Sequence, residues 1–350
     1  MRRPDEPAPA TLAVIIPAYN AAATLPDCLA ALTRSLRRPD EIILFDDGST
    51  DATAEIARAS GARVLTNGRR AQGPAIGRNF AAGASSSDII AFVDADVAVS
   101  PEALGLLEAP LLAGEALASF GSYDDRPKSR RLSALYANLR HHWVHQHGNH
   151  EAFTFWSGLG AIRSDTFRAS GGFNTSFDKP SIEDVELGIR IVESGGRIRL
   201  VKEAVGTHCK DWGIVQLWRT DILQRAIPWA LLMKEGRGRA DDLNISARER
   251  AAAVAAHCVW LAALLAAWRP PWWPALPLAV AAYVVLNARF FVFLLRTGGL
   301  RTGIGGAVLH WCYHLYASVT YALVASGFLS SQRRSRIMNA TAGSSQATRP

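Results

Sequence analysis

Short hydrophobic runs alternate with amphipathic stretches through the first ninety-odd residues of the chain. The runs are rich in β-branched residues, which is typical of buried strands, and the stretches between them have the length and periodicity of helices. Strands and helices that alternate at these lengths predict a mostly parallel sheet with helices on both faces, an α/β fold. The predicted strands are 12–17, 41–46, 62–66 and 88–94, and the predicted helices are 24–36, 51–60 and 74–84.

Three longer hydrophobic segments occupy the C-terminal part of the chain, at 251–268, 275–295 and 304–329. Each has the length of a candidate transmembrane helix. The second contains Asn287 and Arg289 and the third His310 and His314, which are costly in a bilayer unless they face a partner. Charge leaves the topology open, because three spans would place the arginines at 333–336 outside and two would return them to the cytoplasm.

Charge and tryptophan placement also favour a membrane partner. The net charge is +7, and basic residues crowd 234–250, just before the hydrophobic segments, which suits an anionic leaflet. No nucleic-acid partner is predicted, because the α/β part has no basic stripe interleaved with aromatics. Eight of the ten tryptophans lie from Trp212 onward, as expected for anchors at a membrane interface. The four cysteines form no C-x-x-C pair, which argues against a cysteine zinc site.

These patterns predict five successive regions along the chain. The apolar run at 12–17 is too short for a signal peptide, so the α/β domain is expected to remain in the cytoplasm. The regions are a disordered N-terminus (1–10), an α/β domain (11–210), an amphipathic interfacial region (211–250), two to three transmembrane helices (251–330) and a disordered tail (331–350).

Polar residues follow the predicted strands at the edge where α/β sheets bind ligands. Two carboxylates one residue apart, Asp94 and Asp96, can hold a divalent cation that bridges a diphosphate, although a solvated turn has the same pattern. Asp46 and Asp47 precede a glycine and a helix, where a nucleoside could sit; an ordinary βα turn is the plain alternative. A dinucleotide-binding site is disfavoured, because no G-x-G-x-x-G follows the first strand.

Further candidate residues lie later in the chain. Glu183 and Asp184 open a predicted helix at 181–195, where the helix dipole favours ionised carboxylates whether or not they act in catalysis. His208 lies at the exit of a strand, a position that suits a ligand as well as a structural histidine. The histidines clustered at 141–150 match no standard metal-ligand spacing, and a helix with a histidine-rich face is the favoured interpretation.

Taken together, the motifs resemble the family-2 glycosyltransferases of the GT-A fold, over roughly residues 12–210. Single motifs are weak, but their common order along the chain is specific. The matching segments are Val14–Asn20, Asp46–Asp51, Gly73–Asn79, Phe92–Asp96, Gly171–Phe173 and Glu183–Leu187.

The resemblance implies a role for each candidate residue, and a divalent cation, Mn²⁺ or Mg²⁺, as cofactor. It implies Asp184, with Glu183 beside it, as the catalytic base. The implied donor-binding residues are Pro17, Tyr19, Asn20, Asp46, Asp47, Arg78, Asp94, Gly158 and Gly160, the two glycines allowing the backbone to approach the donor sugar. The implied metal ligands are Asp94, Asp96 and His208, and the acceptor side is assigned to Trp156, His145 and Arg219.

The function expected from this resemblance is inverting transfer of one sugar, from a nucleotide sugar to a lipid or lipid-linked hydroxyl at the cytoplasmic membrane face. Processive synthases of the family carry Q-x-x-R-W, whereas Gln216-Leu-Trp-Arg219 is followed here by Thr220. Two alternatives stay open: a polyprenyl-phosphate sugar transferase, whose anionic acceptor needs no base, and a membrane protein that binds nucleotide sugars without catalysis. The expected location is the cell membrane, with a multi-pass chain and a cytoplasmic catalytic domain.

Overall fold

The computed structural model describes residues 9–68, 71–177, 179–237 and 246–329, which form two compact units. Unit 1 contains the described residues up to Arg130 together with Asn138–Asp211, and unit 2 contains Arg131–Ala137 and the described residues from Trp212 onward. The tails predicted to be disordered, 1–10 and 331–350, lie almost wholly outside the described residues.

Unit 1 is built on one mixed sheet. The strands are β1 Leu12–Ala18, β2 Glu41–Asp46, β3 Arg63–Thr66, β4 Ile89–Val93, β5 Val97–Val99, β6 Ala118–Tyr123, β7 Glu151–Ala152, β8 Leu159–Arg163 and β9 Ile198–His208. Their order is β3-β2-β1-β4-β8-β6-β9-β5, with β7 on β9. The first four are parallel, as the alternating pattern predicts, whereas β8 runs antiparallel between β4 and β6.

Helices cover both faces of this sheet. They are α1 Leu25–Thr33, α2 Thr53–Ala59, α3 Pro74–Gly83, α4 Ala103–Leu112, α5 Leu132–His147, α6 Ser164–Ala169 and α7 Glu183–Glu193, of which α5 contributes residues to both units. Successive side chains of a strand point to opposite faces, so Val14 and Ile16 join one core cluster and Ile15 the other. The α/β fold class is confirmed.

Unit 2 is helical. After α8 Ile214–Arg219, a π-helical stretch Thr220–Ala226 and α9 Ile227–Lys234, the chain forms α10 Ala247–Trp268 and α11 Ala275–Ala325. Within α11, Gly299 has φ 73° and ψ −176°, so the helix is broken inside the interval predicted between the second and third hydrophobic segments. The Tyr283 hydroxyl meets His314 Nδ1 across this break at 2.9 Å, and the two arms therefore form an antiparallel hairpin.

Two helices of unit 2 are long and apolar enough to cross a membrane, judged by length and composition. They are Ala247–Trp268 and the continuous stretch Pro270–Ala325 that contains the hairpin. The two polar residues of the second hydrophobic segment differ in burial. Asn287 is buried and donates to the Tyr283 carbonyl at 2.9 Å, whereas Arg289 is exposed.

Candidate active site

The loops after β1 and β2 are joined by polar contacts. Asn20 has φ 49°, a left-handed conformation that asparagine tolerates, and its Oδ1 accepts from the Thr50 amide at 2.8 Å. The Ser49 hydroxyl accepts from the Asn20 amide, and Asp46 Oδ1 accepts from the Ser49 amide. These bonds fix the conformation of the loop that follows Pro17 at the end of β1. Tyr19, which lies on this loop, is 56% exposed. Tyr19 therefore offers an open ring face beside the strand ends.

Asp47 is a buried anchor for the loop before α3. Its carboxylate accepts from the backbone amides of Gln72, at 3.0 Å to each oxygen, and Gly73, at 2.9 Å. The resemblance assigns Asp47 to the nucleoside, and that role stays a prediction. The observed bonds also give Asp47 a structural role, because they hold the N-terminus of α3. They thereby fix the position of Arg78, which lies on that helix.

Arg78 joins three elements at the centre of the site. Its side chain is 4% exposed; Nη2 donates to Asp94 Oδ1 at 2.7 Å and Nη1 donates to Glu183 Oε1 at 3.0 Å. Burial lowers the pKa of Arg78, but Asp94 and Glu183 raise it by more, so the guanidinium stays charged. Burial raises the pKa of Glu183 despite the opposing effect of Arg78. The contact reaches across 105 residues of sequence and fixes α7 against the end of β4.

Asp96 and His208 come together through strand register. Val97 pairs with His208 where β5 runs antiparallel to β9, which places the preceding Asp96 beside the imidazole. His208 Nε2 lies 3.9 Å from Asp96 Oδ2, and Lys210 Nζ lies 3.4 Å from the same oxygen. A carboxylate oxygen and an imidazole nitrogen are both donors that a divalent cation accepts, and this spacing places them on the same side of the strand ends.

Asp94 stands apart from that pair, because its Oδ1 is bound to Arg78. Burial and the neighbouring Asp96 raise the pKa of Asp94, against the lowering effect of Arg78. About a third of the Asp94 side chain stays exposed, so a bound donor could still reach it. The predicted metal role of Asp94 stays a prediction, and Asp96 with His208 is the geometrically matched pair.

Asp184 and Glu183 are neighbours in sequence with separate contacts. Asp184 Oδ2 accepts from the Ser157 amide at 3.0 Å and from the Ser157 hydroxyl at 3.1 Å, and its side chain is only partly buried. Glu183 is 4% exposed and committed to Arg78. Asp184 is therefore the more accessible of the two carboxylates, whereas Glu183 is held by Arg78. The catalytic role that the resemblance implies for them stays a prediction.

Aromatic side chains surround the loop at 156–160. The Trp156 ring lies 4.8 Å from the Tyr123 ring and 4.4 Å from the His141 ring, measured between centroids. A Cβ on Gly158 would lie 2.5 Å from the Trp156 ring, and one on Gly160 would lie 2.4 Å from the Trp156 carbonyl oxygen. Close contacts with Trp156, through its ring at Gly158 and its carbonyl oxygen at Gly160, therefore explain both glycines without a ligand. Their proposed approach to the donor sugar stays a prediction.

The histidine-rich helix α5 uses its imidazoles to bind backbone carbonyls. His145 is buried, its Nδ1 lies 2.9 Å from the Gly121 carbonyl oxygen, and burial lowers its pKa to about 4. His142 and His150 meet the carbonyls of Tyr123 and Leu200 in the same way. The contacts of His142 and His145 attach α5 to β6, and His150, just after the end of α5, contacts β9. The predicted acceptor role of His145 stays a prediction, and its ring is buried.

Two residues of the candidate site are not part of the sequence motifs. Ser157 binds Asp184, and Tyr123 stacks on His208 with centroids 4.5 Å apart. Neither has a local signal, because strand pairing and packing bring them to the site. Arg219 ends α8 in unit 2, so its predicted acceptor role stays a prediction.

The chain is similar in sequence to known proteins. Over 130 residues the chain is 38% identical to a glucosyl-3-phosphoglycerate synthase of Mycobacterium tuberculosis, covering 33% of this chain and 39% of that relative. It is 36% identical over 133 residues to an undecaprenyl-phosphate 4-deoxy-4-formamido-L-arabinose transferase of Pseudomonas paraeruginosa, covering 35% and 37%. The chain thus matches about two fifths of the length of these curated relatives.

A solved structure has a similar fold. A mannosyltransferase from Pyrobaculum calidifontis, in complex with GDP-mannose and Mn²⁺, aligns with a TM-score of 0.56 and 19% identity. The alignment covers 89% of this chain and 87% of that one. The family described as Glycosyl transferase family 2 matches residues 13–169. Residues 13–169 therefore match a glycosyl transferase family 2 domain, and all of them except 131–137 lie in unit 1.

Proposed function

We propose that the protein is a membrane-attached inverting glycosyltransferase that moves one sugar from a nucleotide sugar to a lipid or lipid-linked hydroxyl at the cytoplasmic face. The observation that carries this proposal is the meeting of Asp96, His208, Arg78 and Asp184 at the edge of one sheet. A cation site can stabilise a departing diphosphate, and a partly exposed carboxylate can accept the proton of the acceptor. The buried arginine holds the carboxylates around them.

Asp96 and His208 would hold Mn²⁺ or Mg²⁺ in this proposal. A bound divalent cation supplies positive charge opposite the departing diphosphate, so that no protonated acid is needed there. The nucleoside would bind against the exposed ring of Tyr19, beside Asn20 and Asp46.

Asp184 would act as the general base. Its Oδ2 is oriented by Ser157, whose two bonds hold the carboxylate at the start of α7. It would remove the proton of an acceptor hydroxyl while that oxygen attacks the anomeric carbon, and one direct displacement inverts the configuration. Arg78 keeps Glu183 and Asp94 in place around this centre.

The proposed membrane attachment rests on the apolar helices of unit 2. Large hydrophobic side chains on α10 and α11, among them Trp260, Leu264 and Val285, are exposed, as expected for surfaces that face lipid. The full chain should therefore stay in the membrane pellet after alkaline carbonate extraction. Release of the full chain into the supernatant would contradict the spanning assignment.

Donor identity is the first measurement that tests the proposal. Purified full-length protein in detergent with Mn²⁺ should be stabilised against thermal unfolding by one class of nucleotide sugar among a panel, and should hydrolyse that donor slowly. Stabilisation by ligand follows directly from its binding to the folded state. Binding without hydrolysis or transfer would favour the non-catalytic alternative. No binding of any donor would overturn the proposal.

A second candidate function is sugar transfer to a polyprenyl phosphate, favoured by the undecaprenyl-phosphate transferase among the relatives. Asp184→Asn separates the two. With a hydroxyl acceptor, loss of the base should lower kcat about 10²- to 10⁴-fold with little change in donor affinity. With a phosphate acceptor, the nucleophile is already ionised and turnover should be nearly unchanged. Glu193→Gln, an exposed carboxylate at the other end of α7, is the matched control.

A further inference from the structure

Unit 2 contains a cluster of metal-ligating side chains that glycosyl transfer does not use. Glu249 lies in the first turn of α10, and His310 and His314 lie on the second arm of the α11 hairpin. One donor atom from each of the three lies within 4.8 Å of the others. Among the described residues this is the sole grouping of three such side chains that meets that limit. The two histidines are four residues apart, so they share one face of the helix.

The imidazoles contact tyrosine hydroxyl groups from α5 and from the first arm of the α11 hairpin. His310 Nδ1 lies 3.0 Å from the Tyr136 hydroxyl at the start of α5, and His314 Nδ1 lies 2.9 Å from the Tyr283 hydroxyl on the first hairpin arm. Metal-binding histidines are typically oriented in this way, one ring nitrogen bonded to a nearby oxygen and the other facing the metal. A tyrosine hydroxyl both donates and accepts, so it suits either tautomer.

The opposite nitrogen of His314 faces the carboxylate. His314 Nε2 lies 3.1 Å from Glu249 Oε2. Ligands of a tetrahedral zinc ion with bonds of about 2.1 Å are separated by about 3.4 Å, so this pair is already at ligand spacing. The His310 and His314 rings are buried, with centroids 4.5 Å apart, whereas Glu249 keeps 30% side-chain exposure. The site thus has buried nitrogen donors and an access path beside the carboxylate.

We infer that Glu249, His310 and His314 form a binding site for a first-row divalent cation, with zinc the best match. Two imidazoles and one carboxylate are a donor set that zinc accepts, with a fourth position left for water. The ion joins the N-terminal turn of α10 to the α11 hairpin, which are far apart in sequence. It therefore clamps the helices of unit 2, and the site is separate from the one formed by Asp96 and His208.

Metal content of the purified full chain tests this inference. The protein in detergent is loaded with Zn²⁺, freed of excess metal by gel filtration and measured by elemental mass spectrometry. The wild-type chain should retain zinc, and Glu249→Gln should lose it. Because Glu249 is partly exposed and the change preserves its size, the variant should fold. His257→Gln is the matched control: its Nε2 contacts Ser318 in the same unit, outside the cluster, and zinc should be retained.

Two further variants distinguish a zinc site in unit 2 from a metal-free hydrogen-bond network and from zinc held at the sheet edge. Tyr283→Phe removes only the hydroxyl at His314 and should weaken zinc affinity about 10- to 100-fold, an effect that a metal-free network would not give. Asp96→Asn should leave this zinc in place, because it alters the other site.

No retained zinc in the wild-type chain, or equal zinc in the wild-type chain and Glu249→Gln, would overturn the inference. Neither outcome depends on sugar transfer, so the proposed function is tested independently.

Discussion

Replacing Arg78 by methionine should destabilise unit 1 more than any surface substitution, because it removes the shared partner of two carboxylates. Methionine is of similar length and carries no charge, and it leaves Glu183, 4% exposed, buried without its guanidinium. Removing one partner of a buried ion pair typically costs about 3–5 kcal/mol. Asp94, a third exposed, can regain water and should add little.

That loss should be visible as a lower unfolding temperature of the full chain in detergent. For a domain of this size, about 1 kcal/mol corresponds to about 2–4 °C, so the expected decrease is about 6–20 °C. Arg58→Met, an exposed arginine on α2, is the matched control and should change stability by no more than about 0.5 kcal/mol. Adding Glu183→Gln to the Arg78 variant removes the stranded charge and should recover part of the loss.

The defect should also depend on pH, with a definite sign. The pKa of Glu183 is already raised in the folded protein, and loss of Arg78 raises it further because Arg78 opposes the shift. As pH falls from 7 toward 5, folded Glu183 takes up a proton before the unfolded chain does, so the stability of the variant should rise relative to wild type. A deficit independent of pH, or one equal to that of Arg58→Met, would refute the reasoning.

Two other changes test the cation site and the packing beside it. Asp96→Asn should lower transfer about 10²- to 10³-fold while the fold persists, since the residue lies at a strand end; full activity in excess EDTA would contradict the cation role. Gly158→Ala should cost about 1–3 kcal/mol of stability, because its Cβ would overlap the Trp156 ring. Gly83→Ala, with open space around it, is its control, and equal effects of the two glycine changes would exclude the overlap as the cause.

Local patterns along the chain are sufficient to predict the parallel half of the sheet and the order of the site motifs. The predicted strand at 41–46 is β2 as observed, and the predicted helix at 74–84 differs from α3 by one residue. These elements follow from burial and periodicity within a few residues, and both are local properties. The hydrophobic segments and the break between the second and third are equally evident from the sequence.

Contacts between distant residues are decided by tertiary structure alone. No local pattern indicates that Arg78 pairs with Glu183, that Ser157 binds Asp184, or that Tyr123 stacks on His208. The motifs suggest donor contacts for Gly158 and Gly160, yet the packing of Trp156 accounts for both. Strand register and side-chain packing join residues that are far apart in sequence, and they depend on the whole chain having folded. For the same physical reason, a hairpin turn at Gly299 is needed before Tyr283 can meet His314.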